Sequence, residues 1–169
     1  MDRRDGSRAD VIPISDAPSA PQTVSLPRPT RPAGHGRVGV VLVSHSQELA
    51  AATRALALAI VNTDNPAPVA ATGGALADGL GTSALLIAAA ARRVDQGHGV
   101  AVLCDLGSAV STVLALLADA DEHGLPFPVR FANAPFVEGA VAAVTTATAG
   151  GDLSAVLDAA EETYRQHKI

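Results

Sequence analysis

Over residues 38–45 the chain is apolar at almost every position, and the run closes on Ser44, His45 and Ser46. A near-continuous β-branched run reads as a strand covered on both faces, because a half-exposed strand alternates apolar with polar side chains. Leu49, Ala52, Thr53, Leu56 and Ile60 follow at helical spacing and predict a helix over about 47–61. The alternation then repeats. A turn at 65–68 leads to a short strand over 67–72, a glycine-rich loop over 73–83 and a helix over about 83–96. A third buried strand is predicted at 99–105, and in the helix after it Val110, Val113, Leu114 and Leu117 repeat at helical spacing. A weaker fourth strand falls at 128–134, and helices over about 137–147 and 153–166 close the chain.

Strands separated by crossover helices pair in parallel, with helices on both faces. The expected fold is therefore α/β: a small doubly wound, mostly parallel sheet of about four strands in the order 2-1-3-4. The 169 residues suit one domain and a tail, and with only 2% aromatic residues the helices must pack on the sheet through small side chains. Residues 1–36 differ in kind. They hold Pro13, Pro18, Pro21, Pro27, Pro29 and Pro32, and few large apolar side chains. Proline removes backbone donors, and the segment has little to bury against its ordering entropy. It is read as a disordered tail, with a docking segment as the alternative, and 37–169 as the functional domain.

A net charge of −5 argues against a broad nucleic-acid footprint. Cys104 is the only cysteine, so no intramolecular disulfide or multi-thiolate site is available, which fits a reducing cytoplasm. It is read as a small buried side chain. Arg54, Asp78, Arg92 and Asp105 interrupt every stretch that could approach the roughly 18 apolar residues of a membrane span. His35, His98, His123 and His167 are scattered without ligand spacing, and no metal site is expected. Gly34 to Gly39 spells a dinucleotide fingerprint but precedes a strand where such a site must follow one. Gly74 to Gly79 has phosphate-loop spacing, yet Leu80 and Gly81 stand where Lys and Ser or Thr belong.

Ligands of open α/β sheets sit beyond the carboxyl ends of the strands, where strand order reverses. In the order 2-1-3-4 this brings His45 and Asp105 side by side. A carboxylate accepting from Nδ1–H fixes the tautomer and leaves the Nε2 lone pair facing solvent as a nucleophile. Two helix N-termini follow, whose N–H groups favour a bound dianion without a basic side chain. Ser46 and Ser108 fall near the caps, with hydroxyls within reach of phosphate oxygens. These parts suit a histidine that carries a phosphoryl group transiently. Each part also has a plainer use: a histidine closes a strand, and a serine or aspartate caps a helix.

The blocks VGVVLVSHSQELA, TGGALADGLGTS, VLCDLGSA and NAPFVEGAVAA, in this order and spacing, resemble the phosphotransfer subunits (DhaM) of bacterial dihydroxyacetone kinases. These are similar in fold to the mannose-type EIIA domains of the sugar phosphotransferase system. The resemblance runs over about 37–164. It implies a cytoplasmic phosphotransferase subunit, usually a homodimer, with no cofactor of its own. His45 would accept a phosphoryl group on Nε2 from HPr and pass it to ADP held by the DhaL subunit. The ATP formed would phosphorylate dihydroxyacetone on DhaK. Asp105 matches the carboxylate that orients the histidine, and Gly73, Gly74, Thr82, Ser83, Gly107 and Ser108 match motif positions that shape the loops or meet the phosphate. Glu138 is read instead as a charge favoured at a helix start. No fused HPr-like or enzyme I-like segment is recognised, so separate upstream proteins would deliver the phosphate. Leu76, Leu80 and Leu106 are candidate docking contacts. The rival readings are a mannose-family EIIA serving a sugar permease and a regulatory α/β domain that is never phosphorylated.

Overall fold

The computed structural model describes residues 36–74 and 81–166. Its elements run β1 (Gly39–Ser44), α1 (Gln47–Val61), β2 (Val69–Gly73), α2 (Ala84–Val94), β3 (Val100–Cys104), α3 (Gly107–Ala118), β4 (Val129–Phe131), α4 (Phe136–Thr148) and α5 (Leu153–Glu162), with a final 3₁₀ turn at Thr163–Arg165. The four strands form one parallel sheet in the order β2-β1-β3-β4. The fold class and strand order are those expected from the pattern. The proposed tail and the loop at 75–80, which includes Leu76 and Leu80, lie outside the described residues.

The alternation of side chains along each strand divides the core in two. Val40 and Leu42 of β1 join Ala101 and Leu103 of β3 under α1, α4 and α5. Val41 and Val43 join Val100, Val102 and Cys104 under α2 and α3. Both faces are covered, so β1 and β3 are buried at every position. Alanines at Ala50, Ala57, Ala140, Ala143 and Ala160 form much of the helix contribution and are buried, the small side chains letting helices lie close on the sheet. Among the described residues no helix is long and apolar enough to cross a membrane.

Three boundaries differ from the sequence pattern. The fourth strand is three residues long, because it is an edge strand paired only with β3 and the chain turns toward α4 after Phe131. Helix α2 stops at Val94, where the Asp95 carboxylate accepts the Gly97 N–H and closes a turn. Helix α5 stops at Glu162, and the Thr163 hydroxyl donates back to the Ala160 carbonyl at 2.6 Å in the turn that follows.

Candidate functional site

The register of β1 on β3 aligns Val43 with Cys104, so the next residues, Ser44 and Asp105, meet at the carboxyl edge of the sheet. The Asp105 N–H continues the ladder to the Val43 carbonyl at 3.1 Å. Its side chain then turns back toward β1 and accepts four hydrogen bonds. Oδ2 accepts from the Ser44 hydroxyl at 2.8 Å and the His45 backbone N–H at 2.9 Å. Oδ1 accepts from the Leu106 N–H at 2.7 Å and lies 3.0 Å from His45 Nδ1. Desolvation is the largest single influence on this carboxyl and raises its pKa. The hydrogen bonds from the His45 backbone, Ser44, the His45 ring and the Leu106 backbone outweigh it, so the net pKa lies below the ordinary value. Asp105 is thus ionised near neutrality, and an ionised carboxylate can only accept.

That decides the tautomer of the neutral ring. Nδ1 carries the proton toward Asp105, and Nε2 keeps the lone pair. The sequence pattern leaves Nε2 facing open solvent; in the structure the first turn of α3 brings the Ser108 hydroxyl to 2.7 Å from it instead. With the lone pair on nitrogen, Ser108 is the donor. The imidazole is held from both sides yet keeps 24% of its side-chain surface exposed, against 9% for Asp105.

The remaining candidates divide by what their atoms do. Ser46 caps α1: its oxygen accepts the Leu49 N–H at 3.2 Å and its proton goes to Glu48 at 2.8 Å. Ser108 is not a capping residue; the N-cap of α3 is Leu106, which has no side-chain bond to offer. Gly107 opens α3 with space where a side chain would project. Gly73 is required by close approach, since a Cβ there would lie 2.6 Å from the Ser44 carbonyl oxygen and 2.9 Å from that of Ser46. Gly74 turns the chain with φ +74°, a conformation costly for any side chain. Ser83 caps α2, and the Thr82 hydroxyl donates to Thr112 of α3 at 3.1 Å. These two are drawn to the same edge by the neighbouring Gly81 N–H, which donates to the His45 carbonyl at 3.0 Å. Glu138 lies in the first turn of α4, and Leu106 is exposed beside Asp105.

The sequence pattern notes Ser44 at the end of the first strand but assigns it no role. It is fully buried, bonds Asp105, and accepts the Ser46 N–H at 3.1 Å. A hydroxyl ending an otherwise apolar strand, directly before a histidine, was the available signal. Cys104 stands next to Asp105 but faces the core. Burial, followed by the charge of Asp105, pushes its thiol up to about 12. Among the described residues no three His, Cys, Asp or Glu side chains group as a metal ion would require.

Residues 39–157 match the EIIA-man family, described as PTS system fructose IIA component. The chain is 34% identical over 124 residues to the phosphoryl donor subunit DhaM of a PEP-dependent dihydroxyacetone kinase from Pantoea ananatis, an alignment covering 73% of this chain and 26% of that protein. The corresponding Escherichia coli subunit is 33% identical over 124 residues, covering 71% of this chain and 25% of the relative. The chain therefore spans about a quarter of the length of these two relatives. DhaM of PEP-dependent dihydroxyacetone kinase 2 from Listeria innocua is 28% identical over 120 residues, covering 71% of this chain and 94% of that one. The crystal structure of the unknown-function protein EF1359 shares the fold, with a TM-score of 0.60 and 24% identity over 75% of this chain and 94% of that chain.

Proposed function

The chain belongs to the EIIA-man family, and from that membership we propose that it is a phosphohistidine carrier loaded and unloaded at His45. The observation that carries this reading is the ring held by Asp105 at Nδ1, with Nε2 at the sheet edge beside the first turn of α3. The Nε2 lone pair attacks the phosphorus of a donor phosphohistidine. The donor P–N bond breaks, its electron pair returns to the donor imidazole, and the new P–N bond forms on His45. Asp105 steadies the phosphorylated ring, and Nδ1 keeps its proton throughout. In the second half-reaction an acceptor oxygen attacks the same phosphorus and His45 leaves as a neutral imidazole. Positioning and electrostatics do most of this work. Helix N-termini and the Ser108 hydroxyl meet the phosphoryl oxygens, and without a cationic clamp the group stays easy to surrender.

The donor in this reading is HPr. The acceptor is ADP on a DhaL subunit, and the ATP produced serves dihydroxyacetone phosphorylation on DhaK, in the cytoplasm and with this chain as a homodimer. The similarity to three DhaM subunits supports that assignment. The family description, a fructose IIA component, favours a second reading in which the acceptor is a sugar-permease component. Incubation with enzyme I, HPr and radiolabelled phosphoenolpyruvate is the test. Acid-labile, base-stable label that disappears in His45→Ala supports the carrier; no label, or label retained in that variant, refutes it. Chase with DhaL and ADP, against permease components, separates the two acceptors.

A further inference from the structure

A phosphocarrier needs a free Nε2, yet the Ser108 hydroxyl sits on it. Asp105 Oδ1 lies 3.0 Å from Nδ1, and Nε2 lies 2.7 Å from Ser108 Oγ. Because the carboxylate can only accept, both protons of this chain are assigned: Nδ1–H points to Asp105 and Oγ–H to the Nε2 lone pair. Carboxylate, imidazole and hydroxyl thus stand in the order that makes a serine a nucleophile, the ring taking the hydroxyl proton as the oxygen attacks. Asp105 is itself braced by the Ser44 hydroxyl at 2.8 Å and the His45 N–H at 2.9 Å, so the ring is fixed before any substrate arrives.

The surroundings of Ser108 supply the other parts. Gly107 and Ser108 are exposed in the first turn of α3, and among the described residues no acceptor takes their backbone N–H groups. These donors, at the positive end of a helix of 12 residues, suit an oxygen that gains charge when a carbonyl beside Oγ is attacked. Gly107 leaves open space where a side chain would obstruct the approach. The turn is anchored from below. Ala109 is fully buried, and the Ser108 carbonyl accepts the Thr112 hydroxyl at 3.2 Å, which in turn accepts from Thr82 at 3.1 Å.

We propose that the unphosphorylated protein has a second activity, acyl transfer from activated esters to Ser108 with His45 as general base. Oγ attacks the carbonyl carbon while its proton passes to Nε2, and the tetrahedral oxyanion rests on the Gly107 and Ser108 N–H groups. The intermediate then collapses: the leaving oxygen departs with its bonding pair and takes the proton from Nε2, and the acyl group stays on Oγ. Water, deprotonated by the same nitrogen, hydrolyses the ester, and the proton returns to Oγ. The approach is open to solvent and offers little binding energy, so the substrates are esters of short acyl groups with acidic leaving groups. Leu106, 59% exposed beside the site, gives such groups an apolar contact. None of this depends on phosphorylation of His45; the ring has only to be free.

The probes are an alkyl fluorophosphonate and 4-nitrophenyl acetate, with adducts located by mass spectrometry. Oγ attacks the phosphorus of the first, fluoride leaves with its bonding pair, and the proton goes through Nε2 to solvent. Parent protein should carry this adduct on Ser108, and the rate should level off with rising pH in step with deprotonation of the His45 ring followed by NMR. His45→Gln, with its folding checked by urea melt, should slow the labelling about a hundredfold or more. With 4-nitrophenyl acetate, an acetyl group should appear on Ser108 and turn over, and Ser108→Ala should abolish it. No adduct on Ser108, acylation confined to His45, or parent labelling that climbs with hydroxide without levelling overturns the activity. Such a result leaves phosphoryl transfer from HPr to His45 untouched, and failure of that transfer leaves the serine chemistry untouched.

Discussion

Replacing Asp105 by Asn keeps the shape of the side chain and exchanges one acceptor oxygen for an NH₂ group. The geometry allows no good orientation for it. Each carboxylate oxygen accepts one backbone N–H, Oδ2 that of His45 and Oδ1 that of Leu106, and a backbone N–H can only donate. The Ser44 hydroxyl can turn and accept, but one of the two N–H groups always faces an amide donor. An orphaned donor costs about 1–3 kcal/mol, and the remaining bonds lose their charge assistance, so we expect about 2–4 kcal/mol less stability in urea titrations. With the NH₂ facing Nδ1, the ring must also move its proton to Nε2, which removes the lone pair needed for attack. A lost charge-assisted bond to the ring, about 1.5–3 kcal/mol, predicts phosphoryl transfer slower by about tenfold to a hundredfold in rapid-quench assays. The pH dependence has a definite sign. The folded-state pKa of Asp105 is depressed below its unfolded value of about 3.9, so its contribution to stability is complete above that value and lost as pH falls through the folded pKa. The Asn variant should lack that acid-side loss. The reasoning is refuted if Asp105→Asn is within about 0.5 kcal/mol of the parent, a difference expected of an ordinary surface change, and ¹⁵N shifts of His45 show the same tautomer.

Gly73→Ala should cost about 2–3 kcal/mol and slow labelling of His45, because the added carbon pushes against the backbone of both Ser44 and Ser46; urea melts and label incorporation would reveal it. Leu42→Ala, at a fully buried position shared by β1 and three helices, should cost about 3 kcal/mol in the same melts without altering the ring's tautomer. The Cys104 thiol, 6% exposed and pushed up to about 12, should ignore an aromatic disulfide reagent at about pH 8 in native protein and react at once in denaturant.

Much of the architecture was legible because period 2, period 3.6 and unbroken apolar runs are distinct signals, and β1, α1 and β3 carry them cleanly. The fourth strand is overestimated because its ladder closes with the Ala132 N–H on the Val102 carbonyl at 2.9 Å, while Ala132 and Ala134 still serve the core as the chain turns away. The nearness of His45 and Asp105 was accessible because strand order alone determines it. Ser44 was not, since its burial and its bond to Asp105 depend on register, which a doubly buried strand does not display in its pattern. Ser108 is read from sequence as a residue near a cap whose hydroxyl reaches phosphate oxygens; its direct contact with Nε2 is not legible, because it depends on the angle at which α3 leaves the sheet.

The clasp between Ser44 and Asp105 also bears on how the sheet finds its alignment. The facing runs of β1 and β3 are valine-rich and sealed from water on both sides, so sliding one past the other by a residue would forfeit little burial. Such a slip would carry the Ser44 hydroxyl to the opposite layer and strand a carboxylate among aliphatic carbons. The two polar groups therefore act as the index mark of a vernier, penalising every misthreaded pairing that the greasy ribbons alone would tolerate. On this account, chains that settle in the wrong alignment are the same chains that lack an orientated imidazole, and assembly proofreads the reactive centre.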